Sequence, residues 1–75
     1  MSAEILSTLE RELHETKGAV DILDILREEM EQWRDEAQDN SKHEALENVL
    51  GHIGVLEVEY KRRHEQVQKQ LQAEK

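Results

Sequence analysis

The polar stretch Gln38-Asp39-Asn40-Ser41-Lys42 decides the fold, because it separates two long helix-favouring segments of a 75-residue chain. Asp and Asn favour turns. Ser41 and Glu44 have the spacing of a capping box, in which the serine hydroxyl binds an amide of the new helix and the glutamate reaches back. The chain contains no Pro and only three Gly, and it is rich in Glu, Gln, Leu and Arg. We therefore predict two helices joined at this stretch.

The apolar residues on the two sides of the stretch mirror each other. Leu9 and Leu71 lie equally far from its centre, and so do Leu13 and Val67. The same rule gives the other facing pairs: Val20 with Tyr60, Ile22 with Val58, Ile25 with Val55, Leu26 with Ile53 or Gly54, and Met30 with Leu50. Two antiparallel helices joined by a short turn produce this symmetry.

The fold class that we predict is all-α: a long antiparallel two-helix hairpin with coiled-coil-like packing, forming a single helical domain over residues 1–75. Ser2 is the expected first cap, and helices are expected at about residues 3–38 and 42–72 with a turn at 39–41. Steps of three and four residues mark the seam between the helices. In the first helix the seam is predicted at Leu6, Leu9, Leu13, Thr16, Val20 and Leu23 and, after a three-residue slip, at Leu26, Met30, Trp33 and Ala37. In the second helix it is predicted at Leu46, Val49 or Leu50, Ile53, Leu56, Tyr60, Val67 and Leu71.

Gly18 allows an alternative architecture. It follows Lys17 at a point where a helix could end and restart, and residues 3–16 would then fold back to make a three-helix bundle. That arrangement leaves Val67 and Leu71 without partners. The facing pairs keep one register on both sides of Gly18, which favours a continuous helix with a flexible point there.

The composition predicts a partner. The chain is 36% hydrophobic, with one Trp, one Tyr and no Phe, and one seam between two helices is a small core for this many residues. Small residues and Val lie on the second helix opposite its seam, level with two Ile of the first helix, which predicts a homodimer with a four-helix bundle in the middle. The predicted self-interface consists of Ile22, Ile25, Gly51, Gly54, Val55 and Val58.

The net charge of −8 belongs to residues 1–40, because residues 41–75 carry six acidic and six basic side chains. Such a chain is not expected to bind nucleic acid directly, since phosphate binding requires Lys and Arg. It has no Cys and no long apolar run, which predicts a soluble, cytoplasmic protein that does not contact membranes. The basic residues of the second helix are expected to pair with acidic residues of the facing helix or of a partner chain: Lys61, Arg62, Arg63, His64 and Lys69 with Glu12, Glu15 or Asp21.

Six carboxylates follow one side of the first helix at steps of three and four residues. We call them the acidic stripe: Asp21, Asp24, Glu28, Glu31, Asp35 and Asp39. One interpretation is a solvated face that keeps the protein soluble. The other is a partner-binding surface that imitates a row of phosphates, since complementary charge steers association.

The sequence offers no recognisable catalytic or cofactor-binding pattern. It contains no Ser/His/Asp arrangement, Gly-rich phosphate loop or His-Glu-x-x-His motif. Its four His are too dispersed along a hairpin to predict a metal site. We therefore expect no enzymatic activity, no cofactor and no metal. Trp33, the single Trp, is expected either to close the core near the turn or to serve as an aromatic anchor for a partner.

The function predicted from the sequence is a non-catalytic protein–protein interaction module, a small acidic helical hairpin that acts as an adaptor or inhibitor. Two alternatives remain open. One is an acidic nucleic-acid mimic of phage type that blocks a DNA- or RNA-binding protein. The other is a structural or chaperone-like assembly helper that completes the helical bundle of a partner.

Overall fold

Two antiparallel helices of equal length make up the fold. The structure, a computed structural model, describes residues 2–73. Helix α1 spans Ala3–Glu36 and helix α2 spans Asn40–Ala73, each of 34 residues, so each is about 50 Å long. They pack side by side into a rod of 55 × 14 × 14 Å. The predicted all-α helical hairpin is confirmed.

Side-chain caps fix where the helices begin. The Ser2 hydroxyl accepts a hydrogen bond from the Ile5 amide at 3.2 Å, as predicted. At the turn, the Asp39 carboxylate accepts from the Ser41 amide at 3.0 Å, and the Asp39 carbonyl accepts from the His43 amide at 3.0 Å. The N-cap of α2 is therefore Asp39, and the predicted Ser41 capping box is wrong. The connection comprises residues 37–39 and lies two residues earlier than expected, because Asp39 starts the helix sooner.

Asp39→Ala should lower the free energy of unfolding by about 1 kcal/mol, because it removes the acceptor of an otherwise unpaired amide at the start of α2. Ser41→Ala is the matched control, and it should change stability by less than about 0.5 kcal/mol because this exposed side chain caps nothing. Urea unfolding followed by circular dichroism measures both. A larger loss in Ser41→Ala than in Asp39→Ala would restore the capping box and contradict the observed turn.

Helix α1 continues through Gly18 without a break. Gly18 has negative φ like every described glycine, so it adopts an ordinary helical backbone. The continuous-helix interpretation is confirmed, and the break required by the three-helix alternative does not occur. A Cβ atom added at Gly18 would meet no atom within 4 Å, so no close contact within the hairpin requires glycine there.

The seam follows an unbroken heptad pattern in both helices. Every seam position in α1, and the adjoining Ala37, is buried or half-buried: Leu6, Leu9, Leu13, Thr16, Val20, Leu23, Arg27, Met30, Arg34 and Ala37. The corresponding positions in α2 are His43, Leu46, Leu50, Ile53, Glu57, Tyr60, His64, Val67 and Leu71. The predicted slip after Leu23 is therefore wrong.

Polar residues take the seam positions that the sequence assigned to neighbouring apolar residues. Leu26, Trp33 and Leu56 are exposed, and the adjacent Arg27, Arg34 and Glu57 occupy the seam. Leu50 rather than Val49 lies in the seam of α2. The predicted facing pairs Ile22 with Val58 and Ile25 with Val55 are also wrong as seam contacts, since all four side chains are exposed.

The apolar core lies at the open end of the hairpin, away from the turn. Leu9, Val67 and Leu71 are buried together. Leu6 and Leu13 pack against them, which agrees with the predicted pairing of Leu9 with Leu71 and of Leu13 with Val67. Every described residue keeps at least 2% of its surface exposed to solvent. The core is therefore shallow along its whole length.

A buried ion pair interrupts the seam near its middle. The Glu57 side chain is 4% exposed, and its Oε2 accepts a hydrogen bond from Arg27 at 3.1 Å. Lys61 approaches the same oxygen at 3.9 Å, whereas Glu57 Oε1 has no hydrogen-bond partner among the described residues. Arg27 extends outward to Asp24 at 3.2 Å and Glu31 at 3.8 Å. The ion pair between Arg27 and Glu57 therefore helps to fix how the two helices align along the seam.

Candidate functional site

Many large apolar side chains of the hairpin lie on its surface. Among residues 2–73, five hydrophobic residues are buried and nine large ones are exposed. The exposed ones are Ile5, Ile22, Ile25, Leu26, Trp33, Val49, Val55, Leu56 and Val58. Most of them belong to two separate surfaces, one built by both helices and one built by α2 alone.

The first surface, which we call the two-helix face, runs along one side of the seam. It is formed by Ala19, Leu26, Trp33, Val49 and Leu56, each of which directly precedes a seam residue in its heptad. Leu26, Val49 and Leu56 are 41–42% exposed and Trp33 is 51% exposed. In an antiparallel pair of helices, these positions from both helices lie on the same side. The face is therefore continuous across the hairpin.

An ion pair between the helices lies at one end of the two-helix face, where Arg63 donates a hydrogen bond to Glu12 across the seam. The register of the face follows from the seam, in which Thr16 contacts His64. Steps of seven residues from that contact place Leu26 between the levels of Val49 and Leu56, and Trp33 between the levels of Lys42 and Val49. The hydrogen bond and the negative charge of Glu12 raise the pKa of Arg63, so its guanidinium remains charged and closes the apolar part of the face toward the open end.

Two shallow grooves show that the side chains at the end of this face are neighbours. One groove is lined by Glu12, Glu15, Thr16, Ala19, Tyr60 and Arg63. The other is lined by Leu56, Glu59, Tyr60 and Arg63. Because both grooves share Tyr60 and Arg63, Ala19 and Leu56 lie on the same side of the hairpin. Glu15 and Glu59 border them there.

Trp33 belongs to the two-helix face and not to the core. Its 51% exposure contradicts the interpretation that it closes the core near the turn. The physical reason is that the heptad pattern continues without a slip, so Arg34 takes the seam position beside it. A half-exposed Trp next to other apolar side chains is typical of residues that anchor a binding partner.

The second surface, the α2 groove, lies on α2 alone. Its lining residues are Gly51, Gly54, Val55, Val58, Glu59 and Arg62. A Cβ atom added at Gly51 or Gly54 would meet no atom within 4 Å, so packing within the hairpin does not require either glycine. Both cost helix stability relative to Ala, by about 1 kcal/mol each, and the groove leaves them open to a helix of another chain.

The structure divides the predicted self-interface between two edges of the hairpin. Gly51, Gly54, Val55 and Val58 line the α2 groove, to which α1 contributes no residue. Ile25 and Val55 are 61% and 58% exposed. Each occupies the heptad position that points directly away from the other helix. The six predicted residues therefore form no single patch on one hairpin, and their contact in a dimer stays a prediction.

Most carboxylates of the acidic stripe already have partners within the chain. Asp21 pairs with Lys17 at 3.0 Å and Asp35 with Arg34 at 3.3 Å. Arg27 binds Asp24 and Glu31, and Asp39 caps α2. The six carboxylates therefore have three cationic partners among the described residues, Lys17, Arg27 and Arg34, so only part of the stripe's negative charge is free to meet the cationic groove that a phosphate mimic must fill.

The basic residues of α2 are also used within the hairpin. Arg63 pairs with Glu12, as predicted, and Lys61 approaches the buried Glu57. His64 lies in the seam, where its Nδ1 is 2.8 Å from the Thr16 hydroxyl. The predicted facing pairs did not include this contact, because they were drawn between apolar residues and Thr16 and His64 are polar. Arg62 borders the α2 groove instead.

Within the described part of the chain, no three His, Asp or Glu side chains lie close enough together to hold a metal ion. In residues 2–73, neither helix has a stretch long and apolar enough to pass through a lipid bilayer. Comparisons with protein-family models, with curated proteins and with solved structures found no significant match. The two apolar surfaces are the features of the described hairpin that bear on its function.

The sequence did contain a signal for the two-helix face. Ala19, Leu26 and Trp33 follow one another at seven-residue intervals, as do Val49 and Leu56. We missed the signal because Leu26, Trp33 and Leu56 were assigned to the seam, which was expected to be apolar throughout.

Proposed function

We propose that this protein is a cytoplasmic, non-catalytic protein–protein interaction module that forms a homodimer and binds another protein as an adaptor or inhibitor. The observation that carries the proposal is that nine large apolar side chains among residues 2–73 are exposed. The hairpin has two apolar surfaces, the two-helix face and the α2 groove. One of them could bind a second copy of the chain while the other binds a different protein. Contiguous exposed apolar surface of this kind marks interaction sites in soluble proteins.

The surface area of the hairpin supports the same proposal. Its accessible surface is 5871 Å², whereas a compact monomer of 8.8 kDa exposes about 4,800 Å². The excess of roughly 1,100 Å² exceeds the roughly 800 Å² that each partner contributes to a standard interface. The radius of gyration is 16.9 Å, whereas a compact chain of this length has a radius of about 11 Å. The hairpin is therefore elongated, and an elongated shape exposes more surface. A partner would cover surface that the hairpin itself leaves open.

The nucleic-acid mimic and the assembly helper stay predictions. The ion pairs along the acidic stripe give the mimic no support, and Glu28 and Asp39 are the members of the stripe without an ion pair among the described residues. The assembly helper shares the apolar surfaces with the proposed module. It differs in requiring that the isolated hairpin gain helix when the partner binds.

Photo-crosslinking in the source cells tests the proposed module. A photoreactive residue is placed at Val55 in the α2 groove, at Glu28 in the acidic stripe, or at the exposed Gln70 near the open end as the control. We expect Val55 to give one discrete adduct with a different protein and Gln70 to give none. Excess unlabelled wild-type protein should abolish the Val55 adduct, and excess Val55→Glu/Val58→Glu protein should not. An adduct from Glu28 alone would favour the mimic, and no foreign adduct from any position would contradict the proposed function.

A further inference from the structure

We propose that a second copy of this chain covers the two-helix face, with the turns of the two hairpins at opposite ends and Leu26 at the twofold axis. This inference rests on the proposed homodimer and specifies its interface. An antiparallel copy centred on Leu26 spans the hairpin from about Glu15 to the turn. The apolar core around Leu9 and Leu71 lies outside this overlap and stays as it is in the single hairpin.

Symmetry favours this face over a contact that joins the two outer edges. Both helices contribute equivalent heptad positions to the two-helix face, so the same surface of a second copy can meet it and close the dimer. Contact between Ile25 on one edge and Val55 on the opposite edge would instead join two different surfaces. Such a contact leaves one edge of each copy free, so further copies can add. The assembly then grows as an open chain, unless the rotation between neighbouring copies closes it into a ring.

The sizes of the side chains fit an antiparallel copy. Ala19 lies one heptad before Leu26, and Trp33 lies one heptad after it. Rotation about an axis at Leu26 therefore places the small Ala19 opposite the large Trp33 of the second copy. Large side chains facing small ones allow two layers to interdigitate without voids. The exposed rings and methyl groups form an apolar patch on the order of a few hundred Å², the size at which a surface is usually functional.

The acidic stripes do not oppose the same arrangement. The acidic stripe lies on the opposite side of α1, so the two stripes face outward and their mutual repulsion is screened by solvent.

The first experiment measures molar mass by light scattering over a range of protein concentrations. Wild-type protein is expected to have twice the 8.8 kDa of the chain. Val49→Glu/Leu56→Glu should halve the mass while circular dichroism still shows helix, because both charges enter the two-helix face. Val55→Glu/Val58→Glu, the matched pair on the same helix, should remain a dimer. If only the second pair halves the mass, the proposed interface is wrong while the homodimer stands. A wild-type monomer at all concentrations overturns both.

Disulfide crosslinking tests the arrangement even where a Glu variant fails to fold. The chain contains no native Cys, so single substitutions report single contacts. Leu26→Cys should form a covalent dimer on mild oxidation, and Ala19→Cys mixed with Trp33→Cys should form a mixed disulfide. Val55→Cys, at a more exposed position, should form none. Crosslinking of Leu26→Cys with Val49→Cys, in the absence of a Leu26→Cys homodimer, would place the turns at the same end and overturn the antiparallel arrangement.

Discussion

Arg27→Leu should lower the free energy of unfolding by about 1–3 kcal/mol, because it removes the short hydrogen bond to the buried Glu57 carboxylate while Arg27 itself is half-exposed. The Glu57 side chain is 4% exposed, and its hydrogen bond from Arg27 is the short contact that compensates its burial. Without Arg27, only Lys61 remains, at 3.9 Å from the carboxylate. Urea unfolding followed by helical circular dichroism, at one protomer concentration, measures the loss.

Glu57→Leu should not show the same loss, because Arg27 is 42% exposed and keeps Asp24 and Glu31 as partners. Arg27→Leu/Glu57→Leu should be at least as stable as the wild-type protein, since well-packed apolar residues often replace a buried ion pair without loss. The asymmetry between the two single variants is the specific expectation. Equal losses in both single variants, or a double variant weaker than Arg27→Leu, would contradict the described role of the pair.

Leu9→Ala is expected to lower the free energy of unfolding by about 2–3 kcal/mol. Leu9 is 6% exposed and packs with Val67 and Leu71, so the substitution removes buried methyl groups and leaves a cavity in the apolar core of the open end. Denaturant unfolding at fixed protomer concentration gives the value. Because this core lies outside the proposed dimer overlap, the dimer mass should be retained wherever the variant is folded.

Ile5→Ala is the matched control for Leu9→Ala. Ile5 lies one turn earlier on α1 and is 52% exposed, so its truncation should change stability by less than about 1 kcal/mol, and Ala favours helix more than Ile does. A loss at Ile5 as large as that at Leu9 would mean that Ile5 is covered in solution, and that the open end makes a contact which the described hairpin lacks.

The hairpin itself could be predicted from the sequence because its determinants are local. The polar stretch around Asp39, the absence of Pro and the mirrored apolar residues at the open end all act within one or two helical turns. The exact cap was not predictable from pattern alone. Asp39 and Ser41 are both good caps, and the choice between them follows from the observed bond of the Asp39 carboxylate to the Ser41 amide.

The middle of the seam could not be predicted, because the rule used to find it assumes apolar residues. Arg27 and Arg34 occupy seam positions since a long side chain can bury its methylene groups and extend its charge to the surface. Glu57 is tolerated in the seam because Arg27 meets it from the other helix. A sequence pattern shows neither compensation, so Leu26, Trp33 and Leu56 were assigned to the core. These residues now define the two-helix face.

The central claim, that the two-helix face is an interaction surface, is tested most directly by the fluorescence of Trp33. It is the only Trp in the chain, so the wild-type protein needs no label. On dilution, we expect its emission to shift to longer wavelength and its quenching by acrylamide to increase, as the second copy leaves the face. Emission that remains at long wavelength and is readily quenched at every concentration would contradict the claim, provided that circular dichroism shows a folded helix throughout.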